Sequence, residues 1–395
     1  VNLCNPRIKI ILPFTQLQTG LAERAALGLL RTRRTLDTPQ SPHIVVDDKP
    51  YLAFCSNDYL GLASHPQLIS ALQQGAQQWG VGAGAAHLVS GHFAPHQRLE
   101  QQLADVVGKP AALFFSTGYM ANIGVVQALV SKADTVFADK LNHASLNDAM
   151  LLSRAQVKRY HHCDMEQLAE MLVQTTRGRK LIITDAVFSM DGDIALLPEL
   201  LSLCEQHDAW LLVDDAHGFG VLGEQGSGSL SHFGIASQRI IYMATLGKTA
   251  GVSGAFVAAE QVVIDTLINH ARSYVYTTAT PPALSVVLSE SLRLIAQGDE
   301  KRAHLQKLIS QLCNGLSGLP WQLMPSHTAI QPLLIGDNQQ TLQLSEGLRE
   351  RGIWVAAIRP PTVPQGTARL RITLSAAHSA VDVEKLIKVL HELAI

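Results

Sequence analysis

Apolar residues fall into two rhythms along this chain. Between about residues 66 and 290, short continuous apolar runs alternate with longer stretches at helical spacing. The runs at 111–116, 134–138, 180–185, 210–215 and 240–245 read as buried strands. This alternation predicts an α/β fold, a mostly parallel sheet between helices, in which ligands bind beyond the carboxyl ends of the strands. Past residue 290 the rhythm changes. A helix is predicted near 284–313, strands near 330–336, 353–358 and 368–374, and helices near 340–351 and 380–393, which describes a smaller C-terminal α/β domain. Ahead of the repeating part, 15–38 has apolar positions at helical spacing and 44–55 reads as a hairpin around Asp47 and Asp48. The expected units are therefore 1–55, an N-terminal helix and hairpin; 56–290, the large domain; and 291–395, the small one.

The run IIYMATLGKTAGVSGAFV at 240–257 holds a single charge, Lys248. A phosphate loop would need glycine where Tyr242 stands. A membrane span would place the ammonium near its centre among several glycines. A buried strand followed by a close-packed turn fits better. There an ammonium loses solvation, its pKa falls below the free value of about 10.4, and the neutral amine can attack a carbonyl. The residue types point to a Schiff-base lysine.

Composition narrows the partners. The chain has 395 residues, 47% hydrophobic and 16% charged, with net charge -2, so no field is expected for nucleic acid or an anionic membrane. Five scattered cysteines, Cys4, Cys55, Cys163, Cys204 and Cys313, form neither a disulfide framework nor a CxxC metal site, and a reducing cytoplasm is the expected compartment. The opening VNLCNPRIKIILPF has an apolar patch that is short and lacks a cleavage pattern, so no export signal is expected.

The polar residues after each strand carry the candidate chemistry. Ser116-Thr117-Gly118-Tyr119 opens a helix whose amides can hold a phosphate, and His143 follows the second strand. Ser189 lies in VFSMDGD, where two carboxylates and a glycine make a tight turn rather than a metal site. Asp214-Asp215-Ala216-His217 ends the fourth strand. Residues 218–223 satisfy GxGxxG, yet no helix start follows and no acid occurs from 225 to 259, which argues against a dinucleotide. His161-His162-Cys163-Asp164 looks metal-like, but adjacent side chains at a strand end point to opposite faces, and no metal is expected. Pyridoxal phosphate (PLP) needs a lysine for its aldehyde, a carboxylate for its ring nitrogen, a donor for its phenolic oxygen, a stacking ring and a phosphate cradle. Lys248, Asp214, His217 and His143 meet the first four needs in turn, with Gly118, Tyr119 and Thr245 for the phosphate.

At SNDYLGL, STGYMAN, NHAS, VFSMDGD, DDAHGFG and TLGK the sequence resembles the α-oxoamine synthases, fold-type I PLP transferases, from about residue 21 onward. AIRPPTVP at 357–364 and QGTARLRITLSAAH after it look like the branch that condenses L-alanine with a pimeloyl thioester, carried by coenzyme A or acyl carrier protein. A sister branch taking glycine and acetyl-CoA is the alternative, and a non-catalytic partner subunit a more distant one. The resemblance implies that Arg31 and Thr362 contact the acyl substrate, Ser189 reaches the cofactor, Arg371 holds the amino-acid carboxylate and Asn57 lines the pocket. It also implies a homodimer in which Thr277 or Thr278 completes the other subunit's phosphate site. Departures from the family pattern are Asp185, where glutamate is usual, Ala85-Ala86-His87, and Thr249-Ala250 after the lysine.

Overall fold

A computed structural model describes residues 13–394; the opening segment with Cys4 lies outside them. Among the strands a hairpin comes first, β1 (His43–Val46) and β2 (Lys49–Ala53), turning at Asp47 and Asp48, both with positive φ. Seven strands then build the main sheet: β3 (Ala111–Phe115), β4 (Thr135–Asp139), β5 (Gln156–Tyr160), β6 (Lys180–Asp185), β7 (Ala209–Asp214), β8 (Ile240–Thr245) and β9 (Ala255–Ala259). Their order is β3-β9-β8-β7-β6-β4-β5, with β9 antiparallel to both neighbours and the other pairings parallel. Side chains alternate across this sheet. Phe137, Ile182, Leu211, Tyr242 and Phe256 fill one core, while Val136, Leu181, Leu212, Ile241 and Val257 fill the other. Both faces are covered, which is why these strands read as continuous apolar runs rather than alternating ones.

The C-terminal part adds β10 (Gln322–Leu323), β11 (Ile330–Gly336), β12 (Ile353–Trp354), β13 (Ala356–Ile358) and β14 (Ala368–Thr373). β10, β11, β14 and β13 form an antiparallel sheet; β12 instead pairs parallel with β2 and ties the early hairpin to this end of the chain. The string at 56–62 follows β2, with Leu60 and Leu62 in the first of the main sheet's two cores and Tyr59 in a further core built by the C-terminal part. Ala376 N donates to Tyr59 O at 2.7 Å, and Thr373 N donates to Phe54 O at 2.8 Å.

Four expected elements differ, among them the strand at 353–358, which is split at Val355 into β12 and β13 in different sheets. The first helix is Thr15–Ala26, shorter than 15–38, because Gly28 takes φ +65° and ends it; the basic cluster continues as non-helical chain. The helix expected at 284–313 is two, Pro282–Ala296 and Asp299–Gly315, broken at Gly298 where Asp299 and Glu300 start a new first turn. The 240–257 run is β8, a turn and β9, whose antiparallel return was not read from the sequence. Among the described residues no helix is long and apolar enough to cross a membrane.

The turn between β8 and β9 closes through Gly251 N to Lys248 O at 2.9 Å. Gly251 has φ +69°, and a Cβ there would lie 2.6 Å from Ala63 N and 2.7 Å from Leu62 C, both backbone. Gly251→Ala should therefore cost at least about 1–3 kcal/mol, seen as a lower thermal unfolding midpoint. Gly20→Ala, in the first helix with nothing within 4 Å, should gain roughly 0.5–1 kcal/mol.

Candidate active site

The carboxyl ends of the parallel strands converge on a cavity of about 770 Å3 that also reaches the small domain. Lys248 and His217 come from the turns after β8 and β7, His143 and Ser189 from those after β4 and β6. Asn57 arrives from the 56–62 string, Thr362 from the loop after β13, and Arg371 from β14; all seven side chains line the cavity.

Lys248 Nζ lies 2.7 Å from His217 Nε2, and His217 Nδ1 lies 2.6 Å from the Tyr59 hydroxyl. Burial pulls the Lys248 ammonium down to about 8, against the raising pull of Asp214 and Asp185. Burial also drives His217 well below its usual value, with Lys248, Arg371 and His143 adding to the effect. His217 is thus neutral, with one N–H to give and one lone pair to offer.

A second network runs behind the cavity. His143 caps the helix Ala144–Ser153, and its Nδ1 lies 2.8 Å from Ser145 Oγ. Asn122 Nδ2 donates to Ser145 Oγ and to Asp214 Oδ2, both at 2.8 Å, and Ala216 N donates to Asp214 Oδ1 at 3.0 Å. Asp214 is buried and forms no ion pair among the described residues. Asp185 Oδ2 accepts His143 N at 2.7 Å, so the short carboxylate at this position fixes the loop that carries His143. Burial, with Asp214 nearby, pushes the Asp185 carboxyl well above its usual range.

Arg371 donates from Nε to Ser189 O at 2.6 Å and from both terminal nitrogens to Asn57 Oδ1 at 3.2 Å. Arg31 Nη2 donates to Thr362 Oγ1 at 2.9 Å, and the two share an adjoining hollow of about 250 Å3 with Arg359.

Other expected residues do not line the cavity. Gly118 begins the helix Gly118–Leu129, capped by the Thr117 side chain on Met120 N. Helix geometry leaves the Gly118 and Tyr119 amides without an intrahelical carbonyl. The Tyr119 side chain turns away: it is 43% exposed and its hydroxyl donates to Asp148, so only its backbone remains for a phosphate. A Cβ on Gly118 would meet nothing closer than 3.9 Å, with Thr245 beside that open space. Thr277 and Thr278 follow the short helix Arg272–Val275, on the segment where Ala279 N bonds Ala85 O. The GxGxxG glycines pack as a turn, and a Cβ on Gly220 would lie 2.4 Å from Thr249 Cγ2. Tyr59, Asn122 and Ser145 were not singled out from the sequence. Each stands inside a quoted motif, but a partner that gives it a role lies on another segment, His217 for Tyr59, Asp214 for Asn122 and Asn122 for Ser145.

These residues fit PLP. A desolvated amine, a buried carboxylate lacking a cation and an open space before helical amides occur together at one sheet edge. Residues 49–390 match the family described as aminotransferase class I and II. An 8-amino-7-oxononanoate synthase of Nitrosospira multiformis is 62% identical over 380 residues, covering 95% of each chain. The chain belongs to the 8-amino-7-oxononanoate synthase family. A solved member from Francisella tularensis superposes with a TM-score of 0.77 at 30% identity, over 87% of this chain and 97% of that one. The serine palmitoyltransferase of S. paucimobilis, solved with PLP-myriocin bound, reaches a TM-score of 0.90 at 28% identity over 96% of each chain. In this family the cofactor is PLP.

Because the free Lys248 amine is the reactive form, its capture of an aldehyde should rise about tenfold per pH unit up to about pH 8 and then level. Stopped-flow binding of PLP to the cofactor-free protein reads this. Asp214→Asn removes a charge that holds the pKa up, so the break should move to lower pH.

Proposed function

We infer that this chain makes 8-amino-7-oxononanoate from L-alanine and a pimeloyl thioester, releasing CO2 and the carrier thiol. Near-full-length identity of 62% to a synthase of that name carries the reading. The cavity supports it by placing a lysine with a lowered pKa opposite an arginine.

PLP supplies an aldehyde and a protonated ring that takes up the electron pair freed at the α-carbon. Gly118, Tyr119 through its amide, and Thr245 would hold its phosphate; Asp214 would keep the ring nitrogen protonated; His217 and Ser189 would hold the phenolic oxygen side, with His143 against the ring. Lys248 would hold the aldehyde, and its Nζ would take the α-proton of L-alanine. Arg371, pinned by Ser189 O and Asn57, holds the alanine carboxylate. Arg31 and Thr362 position the acyl chain at the cavity mouth. Thr277 or Thr278 serves the other subunit of a homodimer, and the working compartment is the cytoplasm.

Lys248→Ala should abolish turnover and leave no borohydride-fixed PLP on the chain, read by peptide mapping against the parent. Side by side, alanine with pimeloyl-CoA should turn over faster than glycine with acetyl-CoA. The reverse order would sink the assignment.

A further inference from the structure

The turn at 187–193 carries Ser189, and something must hold it in register with the loop that carries His143. His162, just past β5, lies between the two. Its Nδ1 is 3.1 Å from both oxygens of Asp139, at the end of β4, and its Nε2 is 2.7 Å from Asp193 Oδ2, at the end of the turn. Asp139 is buried and also accepts Leu141 N at 2.8 Å and Cys163 N at 2.9 Å. The His162 ring stands edge-on to Phe188, with centroids 4.4 Å apart, and Phe188 lines the cavity. Carboxylates only accept, so a ring facing one at each nitrogen carries a proton on both.

We propose that His162 is a positioning residue, a permanent imidazolium that clasps Asp193 to Asp139 and so holds Ser189 O where it orients Arg371 for the amino acid. The two carboxylates outweigh burial and raise its pKa to about 12, so the clasp stays charged across the working pH range. The turn is also fastened from the small domain, by Arg369 to Asp191 Oδ1 at 2.7 Å and by Ser326 to Gly192 O at 2.8 Å. His162 supplies the tie to the end of β4. Because Ser189 bonds Arg371 through its carbonyl, loss of the clasp acts on alanine affinity rather than on the acyl donor.

The proposal rests on the assignment of Arg371 to the alanine carboxylate. His162→Gln and Asp193→Asn should each weaken alanine binding roughly tenfold, in KM and in titration of the cofactor's visible spectrum, with kcat and the KM for pimeloyl-CoA changed less than threefold. The double variant should be no weaker than the worse single, since both break one clasp. In the 15N spectrum of histidine-labelled parent protein, both His162 ring nitrogens should carry protons at pH 8. Additive effects, an equal fall in kcat with alanine affinity intact, a neutral ring, or a stoichiometric metal between Asp139, His162 and Cys163 would each overturn it. If the parent fails to turn over pimeloyl-CoA, the assigned reaction falls, while alanine titration and the 15N spectrum still decide the clasp.

Discussion

Keeping a lysine buried beside a neutral histidine is the constraint around which this molecule is arranged. Removing an ammonium from water disfavours its charged form, and two carboxylates nearby restore part of what burial removes. The balance leaves Lys248 titrating at about 8, where both forms are populated near neutral pH. One form attacks a carbonyl and the other has just received a proton, so the lysine can serve both steps.

That balance depends on segments distant in sequence. His217 is held from the far side by Tyr59, and Tyr59 is held by the small domain through Ala376 N. The same string places Asn57 on Arg371 and packs Leu62 and Ala63 against Gly251 in the lysine turn. SNDYLGL is therefore a joint between the two domains, and its polar residues read as turn-prone in isolation because their partners lie elsewhere. Asp58 shows the same logic. Its carboxylate accepts Leu62 N and Ala63 N at 2.8 and 3.0 Å, closing the string locally, while its carbonyl accepts Ser375 Oγ at 2.6 Å.

Features encoded locally were legible in the sequence. Strands at 180–185, 240–245 and 330–336 coincide with their apolar runs because burial on both faces leaves no competing pattern. The hairpin at Asp47 and Asp48 was legible from its turn residues. Non-local choices were not. Nothing within 240–257 shows that its second half returns antiparallel to pair β3, or that the early hairpin pairs with β12. The lysine, the Asp214 pair and His143 could be proposed from residue type and strand-end position. Tyr59 and Asn122 could not, since a hydroxyl or an amide acquires a role only from what the fold puts opposite it. His162 and Cys163 do not face opposite ways as a strand end would place them: β5 ends at Tyr160, Cys163 Sγ lies 3.8 Å from His162 Nε2, and the His162 ring meets carboxylates at the end of β4 and in the turn after β6.

Asp185 and Asp214 stand side by side across β6 and β7. Both are buried at the ends of adjacent strands, which are in register at these residues. Two ionised carboxylates in such a place repel. Burial and the neighbouring charge raise Asp185 well above its usual range, and its bond from His143 N does not offset them. The Asp185 bond from His143 N fixes the loop that carries His143. Asp214 instead accepts from Asn122 Nδ2 and Ala216 N. The two neighbouring carboxyls thus differ in the donors that reach them, and the Asn122 to Ser145 bond links that difference to the orientation of His143.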